Sequence, residues 1–300
     1  MLSAINPNVS EEDGAILDAW KDKDQPDFNP TPEEVAFLRA ATGIQDEQDL
    51  KAHVVAVQRK AAEVFPYPCV IHFSFTQTNI ARLRGYEETL ALAKSRPNAL
   101  LLDLGCCLGT DARKAVLDGF PPAQMVTSDL FKDFWTLGYE LFNDNKDTMP
   151  ITFLAGNVFD SSFLSLSPLD TPPSTTPLSE VSTLSELHGR LSALHTSYFF
   201  HLFSREQQEE LAPLIAGLLL PERGSIIFGH HLGAEEEGLG SKLGKWAHNR
   251  ESWTALWERA LARVGWTGKV DIYTELVKAP EVMSSVGIGT HLLHWRVTLQ

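Results

Sequence analysis

Apolar and polar positions follow two rhythms along this chain, and each predicts a different element. Leu50, Val54, Val57, Ala61 and Val64 recur at helical spacing between Asp46 and Phe65, predicting an amphipathic helix that docks one face. Leu100, Leu101, Leu102 and Leu104 form an unbroken apolar run, the mark of a central parallel strand covered on both faces. From there strand and helix alternate. Met125 to Asp129 is a second strand, and the helix after it carries Phe131, Phe134, Trp135, Leu137 and Leu141. Ile151 to Asp160 gives a third strand with a turn at Gly156 and Asn157, Leu191 to Thr196 a fourth, and Ser225 to Phe228 a fifth. Lys269 to Val277 and His291 to Leu299 are extended, the last alternating Leu293, Trp295, Val297 and Leu299.

Capping signals punctuate this pattern. Thr31, Pro32, Glu33 and Glu34 combine a capping box with proline at the first helical position. Tyr86 to Lys94 is a helix leading into the first strand. Ser204 to Gln207 opens a helix reaching about Leu220 with a kink at Pro213, and Asn249 caps another that Gly265 stops. Residues 1–95 read as an arm and helical extension serving as lid or pocket wall. Within them, residues 1 to about 30 are loosely held around an apolar patch at Ile16, Leu17 and Trp20. Residues 96–300 read as the core, interrupted at 161–179 by a Ser/Thr/Pro-rich surface insertion, while Gly229 to Lys245 is a glycine-rich solvated loop. The aromatic segment Tyr67 to Phe75 is either a pocket wall or a seam joining extension to core.

Composition narrows the possibilities. The 300 residues suit one large α/β domain with an extension. With 39 acidic against 25 basic residues the formal charge is −14, which disfavours nucleic acid and membrane surfaces as partners. Three cysteines, two of them adjacent, show neither a disulfide framework nor zinc spacing, so a reducing, cytoplasmic setting is expected. No basic leader and no stretch of bilayer length is evident.

The chemistry centres on LLDLGCCLG, where Gly105 and Gly109 permit a tight turn before a helix running to Leu117. A dinucleotide fingerprint fails here. Counting Gly105 as its first glycine, Cys107 and Thr110 occupy the other two places. A phosphate loop fails because Thr110, not lysine, follows Gly109. What survives is Asp103, Gly105 and Gly109, with Asp129 at the end of the next strand.

In these residues the chain resembles the class I S-adenosylmethionine-dependent methyltransferases, with Cys107 where that family commonly has its middle glycine. The segments LLDLGCCLGTDARK, SDL, WTLGYELF, NVFD, SYFFHLFS and HNRESWTALW narrow the resemblance to fungal methyltransferases of meroterpenoid and related secondary-metabolite pathways, over about residues 60 to 300. The resemblance implies an α/β fold with a Rossmann-like, mostly parallel seven-stranded sheet whose last strand is antiparallel. It implies O-methylation of a small apolar metabolite, often at a carboxyl group. Carried over by residue, Asp103, Gly105, Cys106, Cys107 and Gly109 would surround the methionine part of the cofactor. Asp129 and Leu130 would hold the ribose and the adenine edge, Asn157 and Val158 would face adenine, and Thr196 and Ser197 would close the site near the sulfonium.

Methyl transfer from a sulfonium is an in-line displacement, so alignment and exclusion of water dominate and no metal is required. The by-product is S-adenosylhomocysteine. A carboxylate acceptor is already ionised, since carboxyl groups titrate near pH ~4, whereas a phenol or alcohol needs a base. His201, in the aromatic SYFFHLF segment after the fourth strand, is the candidate base, or else a packed core histidine. Tyr67, Phe200, His230 and Trp246 are candidate acceptor contacts, with His231 beside them. Methylation of a phenol, hydroxyl, nitrogen or thiol, and a non-catalytic cofactor-binding regulator, stand as alternatives. Either a monomer or a homodimer is compatible with the sequence.

Overall fold

The computed structural model describes residues 6–7, 14–15, 27–239, 246–279 and 289–300. Its sheet has seven strands: β1 (Leu101–Leu104), β2 (Met125–Asp129), β3 (Thr152–Ala155), β4 (Ala193–Ser197), β5 (Ile226–Gly233), β6 (Val270–Lys278) and β7 (His291–Leu299). They lie in the order β3-β2-β1-β4-β5-β7-β6. The first five pair in parallel, and β7 runs antiparallel between β5 and β6. The order reverses at β1 and β4, where adjacent crossovers leave in opposite directions and open a crevice beyond the carboxyl ends of both strands.

Side-chain alternation splits this sheet into two faces. Leu102, Leu104, Val126, Leu194 and Ile227 share a core with helices α6 (Arg205–Ala216) and α7 (Arg250–Arg263). Leu101, Met125, Ala193, Ile226 and Phe228 pack on the other face with α3 (Tyr86–Ser95) and α4 (Thr110–Leu117). Two polar side chains, Asp103 and His195, belong by the same alternation to this second face.

The extension consists of α1 (Pro32–Thr42) and α2 (Glu47–Val64), preceding α3 in the chain. Thr31 caps α1 with the expected box to Glu34, and the apolar stripe Leu50, Val54, Val57 and Ala61 of α2 is buried. That stripe docks on α5 (Lys132–Phe142), where Phe134, Leu141 and Phe142 complete one apolar cluster, and Asn143 donates to the Thr42 carbonyl at 3.0 Å. The apolar patch around Ile16 to Trp20, and residues 240–245 of the glycine-rich loop, lie outside the described residues. Of the arm, Asn6 is buried and donates to the Tyr67 hydroxyl at 2.7 Å.

Two readings need correction. The fifth strand does not stop at Phe228. It continues through His230 and His231 to Gly233, paired along its whole length with β7. Gly229 sits in mid-strand because a Cβ there would collide with the Thr196 carbonyl of β4. The insertion at 161–179 is also not purely a surface feature. Phe163, Leu164 and Leu169 are buried in the main core, and the Leu169 amide donates to the Val264 carbonyl at 2.8 Å.

Candidate functional site

The turn after β1 is built on three left-handed positions at alternate residues. Gly105 and Gly109 have φ of 77°, and Cys107 between them has φ of 49°. Gly105 and Cys106 both donate their amides to the Ser128 carbonyl of β2 at 2.8 and 3.1 Å, and Gly109 donates to the Cys106 carbonyl at 2.7 Å. A Cβ on Gly105 would come within 2.6 Å of the Phe199 ring, so an aromatic side chain from beyond β4 lies directly on the turn. Arg113 of α4 holds the far side. Its guanidinium donates to the Leu108 and Gly109 carbonyls at 3.1 and 3.2 Å, pairs with both oxygens of Asp144 at 2.7 and 2.9 Å, and lies 4.8 Å from the centre of the Trp135 ring.

Asp129 ends β2 at the mouth of this turn. Its Oδ2 accepts the Cys107 amide at 2.9 Å and its Oδ1 the Phe131 amide at 3.1 Å. Burial pushes its carboxyl up to about 6, although the Phe131, Cys107 and Leu130 amides pull the other way. Tyr67 of the extension is close enough for the Asp129 charge to add to the burial that raises its phenol, and it packs against Phe65, Phe131 and Phe134. Both neighbouring thiols stay protonated. Burial raises Cys106 well above its ordinary value, and a hydrogen bond from the Cys107 thiol to Cys69, followed by burial, does the same for Cys107.

Asp103 and His195 face one another in register on adjacent strands, and His195 is a residue that the sequence reading missed. His195 Nδ1 lies 2.8 Å from Asp103 Oδ1, His195 Nε2 lies 2.7 Å from the Ser197 hydroxyl, and that hydroxyl lies 3.1 Å from His230 Nδ1. Asp111 of α4 approaches His195 Nε2 at 4.0 Å while accepting the Ile80 amide. Burial alone would lower the His195 imidazole, but the hydrogen bond and charge of Asp103, with the charge of Asp111, raise it above its ordinary value. A histidine embedded in the apolar strand LSALHTS, level with an aspartate in the strand before it, was the available signal.

The remaining candidates fall in several places. Thr196 is buried, and its hydroxyl has no hydrogen-bond partner among the described residues. Leu130 and Asn157 are half-buried at the ends of β2 and β3, whereas Val158 is buried in the main core with Phe163. Phe200 is enclosed by Trp253, Trp257 and Trp295 on the α6 and α7 side of the sheet, so the aromatic ring on the turn is its neighbour Phe199. His201 packs edge-on against Tyr198 at 6.0 Å between ring centres, and Tyr198 in turn lies 4.3 Å from the His230 ring. Trp246 lies beneath Arg205 at the start of α6, with its carbonyl accepting from Gln208. Among the described residues, no cluster of His, Cys, Asp and Glu is arranged to hold a metal ion, and no helix is long and apolar enough to cross a membrane.

Known proteins resemble this sequence. Residues 20–76 match the family described as the meroterpenoid methyltransferase N-terminal domain. The O-methyltransferase phiE of a fungal species is 33% identical over 223 residues, covering 73% of this chain and 68% of its own. The methyltransferase trt5 of Aspergillus terreus is 30% identical, covering 76% and 77%. This chain belongs to the S-adenosylmethionine-dependent methyltransferases of fungal secondary metabolism. The asnovolin E/chermesin D methyltransferase nvfJ of Aspergillus novofumigatus, 28% identical over 84% of each chain, is a further relative. Among solved structures, the magnesium protoporphyrin IX methyltransferase of Synechocystis with bound cofactor aligns over 97% of this chain and 98% of its own. Its identity of 10% and TM-score of 0.42 are too low to say anything of the site.

For a fungal methyltransferase of this class the residues present fit the cofactor. A carboxylate offers about four acceptor lone-pair sites, so Asp129 keeps acceptor capacity for ribose hydroxyls beside the Cys107, Phe131 and Leu130 amides. Asp103 Oδ2 and the Ser128 hydroxyl, on the strands that flank the turn, are buried without hydrogen-bond partners among the described residues.

Proposed function

We propose that this methyltransferase transfers the methyl group to an oxygen of a small, largely apolar metabolite, with a carboxyl group as the preferred acceptor. The observation that carries this reading is the closure of the glycine turn onto Asp129, which presents a rigid acceptor-rich edge beyond β1 and β2. In this reading Asp103, Gly105, Cys106, Cys107 and Gly109 surround the methionine part and Asp129 with Leu130 the ribose and adenine edge. Asn157 and Val158 face adenine, and Thr196 and Ser197 close the site. Tyr67 brings the helical extension over the cofactor end as a pocket wall, with His230 and Trp246 on the acceptor side and Phe199 beside them.

When bound, S-adenosylmethionine supplies an electrophilic methyl group on a sulfonium. The protein's part is to align the acceptor oxygen behind that methyl and keep water away, which the aromatic residues Phe199, Tyr198 and Phe131 favour. A carboxylate needs no proton removed, and the settings of His195, His230 and His231 support that preference. His195 is tied to Asp103, and burial holds His230 and His231 well below the range suited to proton abstraction near neutral pH. The test is incubation with methyl-labelled cofactor and a panel of apolar carboxylic acids matched by phenols and alcohols, with products identified by mass. Labelled methyl esters support the proposal, and labelled ethers formed in their place overturn the carboxyl preference.

A further inference from the structure

The chain of contacts from Asp103 through His195 and Ser197 to His230 carries a proton-counting constraint. Asp103 is 3% exposed and His195 1%, and His195 is the partner of the Asp103 carboxylate, whose second oxygen is buried without one. A carboxylate accepts only, so His195 Nδ1 carries a hydrogen. The Ser197 hydroxyl has one hydrogen and lies between two ring nitrogens, His195 Nε2 at 2.7 Å and His230 Nδ1 at 3.1 Å. It can donate to only one of them, and if both rings donated to it the hydroxyl hydrogen would have no acceptor among the described residues, so the other ring donates to it. Two arrangements therefore exist. With a neutral His195, the hydroxyl donates to His195 and His230 holds its hydrogen on Nδ1. With a doubly protonated His195, the hydroxyl turns to His230, whose own hydrogen moves to Nε2.

Charge pairing decides between them. A buried carboxylate is tolerated when a cation answers it, and the Asp103 carboxylate meets this imidazole directly, with the Asp111 carboxyl, which burial raises to about 7, ionising beside it near neutral pH. Asp103 approaches it from β1 and Asp111 from α4, with the Phe228 ring of β5 packed on its side at 5.3 Å. His230 faces the His294 ring of β7 at 5.3 Å and Tyr198, and feels the positive charge of Arg82 and of His201 and His195 when these are protonated. Burial first, then the charges of His294, His195, His201 and Arg82, keep His230 neutral, so it exists as one tautomer or the other.

We propose that His195 and Ser197 are positioning residues: the doubly protonated His195 orients the Ser197 hydroxyl toward His230 Nδ1 and so fixes the His230 hydrogen on Nε2. His230 is then a hydrogen-bond donor toward an acceptor oxygen and not a base. This rests on the methyl-transfer reading and deepens it, because a donor suits an ionised carboxylate, whereas a base would suit a hydroxyl. The series aspartate, histidine, serine also has the order of a nucleophilic triad. A doubly protonated His195 has no lone pair with which to activate Ser197, so the serine is not a nucleophile.

Nitrogen NMR of the whole protein with labelled histidine reads both rings directly, with assignments from His230→Gln and Ser197→Ala. At pH 7 His195 is expected to show two protonated nitrogens. His230 is expected to show a protonated Nε2 and a bare Nδ1, in an excess of about tenfold, the ratio one neutral hydrogen bond supports. In Ser197→Ala that excess collapses toward an even mixture while His195 stays doubly protonated. A bare Nε2 on His195, or a hydrogen on His230 Nδ1, overturns the proposal, and the wild-type spectrum suffices for either result. Titration of the same sample with S-adenosylhomocysteine separates the two readings. Binding together with a neutral His195 removes this inference alone, and absent binding with the expected spectrum removes the methyl-transfer reading alone.

Discussion

The Cys107 amide donates to Asp129 Oδ2 at 2.9 Å, which joins the glycine turn after β1 and the carboxylate ending β2 into one hydrogen-bonded unit. Cys107 achieves this from the left-handed region, with φ of 49°, where a side chain is disfavoured and glycine is not. Cys107→Gly is therefore expected to keep the turn, changing stability by no more than about 1 kcal/mol because relief of strain offsets the extra freedom of the unfolded chain. Cys107→Val, branched at Cβ, is expected to lose more. Urea denaturation of both variants checks this, and a valine variant as stable as the glycine variant would contradict it.

Most of the fold was legible because the apolar runs and caps agree with one another. Thr31, Ser204 and Asn249 cap the helices they were expected to cap, and Leu101 to Leu104 is the central strand. The strand through His230 and His231 was not legible, since Gly229 looks like a loop signal until the Thr196 carbonyl is seen to require its missing side chain. The glycine turn and Asp129 were visible as spacing. His195 was not, because its significance lies in the register of two strands distant in sequence. Phe199 and Phe200 are adjacent in sequence, and only the structure shows which of the two rings meets the turn.

Arg113 is 1% exposed and its bidentate pair with Asp144 sits beneath the turn. Removing one partner leaves the other charge buried, which typically costs about 3–5 kcal/mol. Arg113→Met or Asp144→Asn should lower the thermal midpoint by well over 5 °C at this scale. Because Arg113 also holds the Leu108 and Gly109 carbonyls, its variant should weaken cofactor binding more than the Asp144 variant does. Scanning calorimetry with and without S-adenosylhomocysteine distinguishes the two.

Asp129 titrates upward, to about 6, chiefly through burial. A carboxyl raised in the folded state binds its proton more tightly there than in the unfolded chain, so its contribution to stability falls as pH rises from about 4 to 6. Asp111, raised to about 7 for the same leading reason, has the same sign over a wider window. Cofactor binding should run the opposite way, because in the proposed site it is the ionised Asp129 that accepts from the ribose hydroxyls. Affinity for S-adenosylhomocysteine is expected to rise through pH 6 and level off above it, and Asp129→Asn to flatten that profile. A flat wild-type profile between pH 5 and 7.5 would count against the assignment.

His201 packs on Tyr198. With a carboxylate acceptor, His201→Ala is expected to leave turnover within roughly tenfold of wild type, since only packing is lost. A general-base role predicts a loss of order 10²–10⁴. Steady-state kinetics on an identified acceptor near neutral pH decides between them.

Calorimetric titration of the wild-type protein and of Asp129→Ala with S-adenosylhomocysteine tests the central claim most directly. Saturable binding to the wild type, weakened roughly tenfold to a hundredfold when the charged acceptor is removed, is the expected result. Absence of binding to the wild type, or equal affinity in the two proteins, would contradict a cofactor site built on the turn and Asp129.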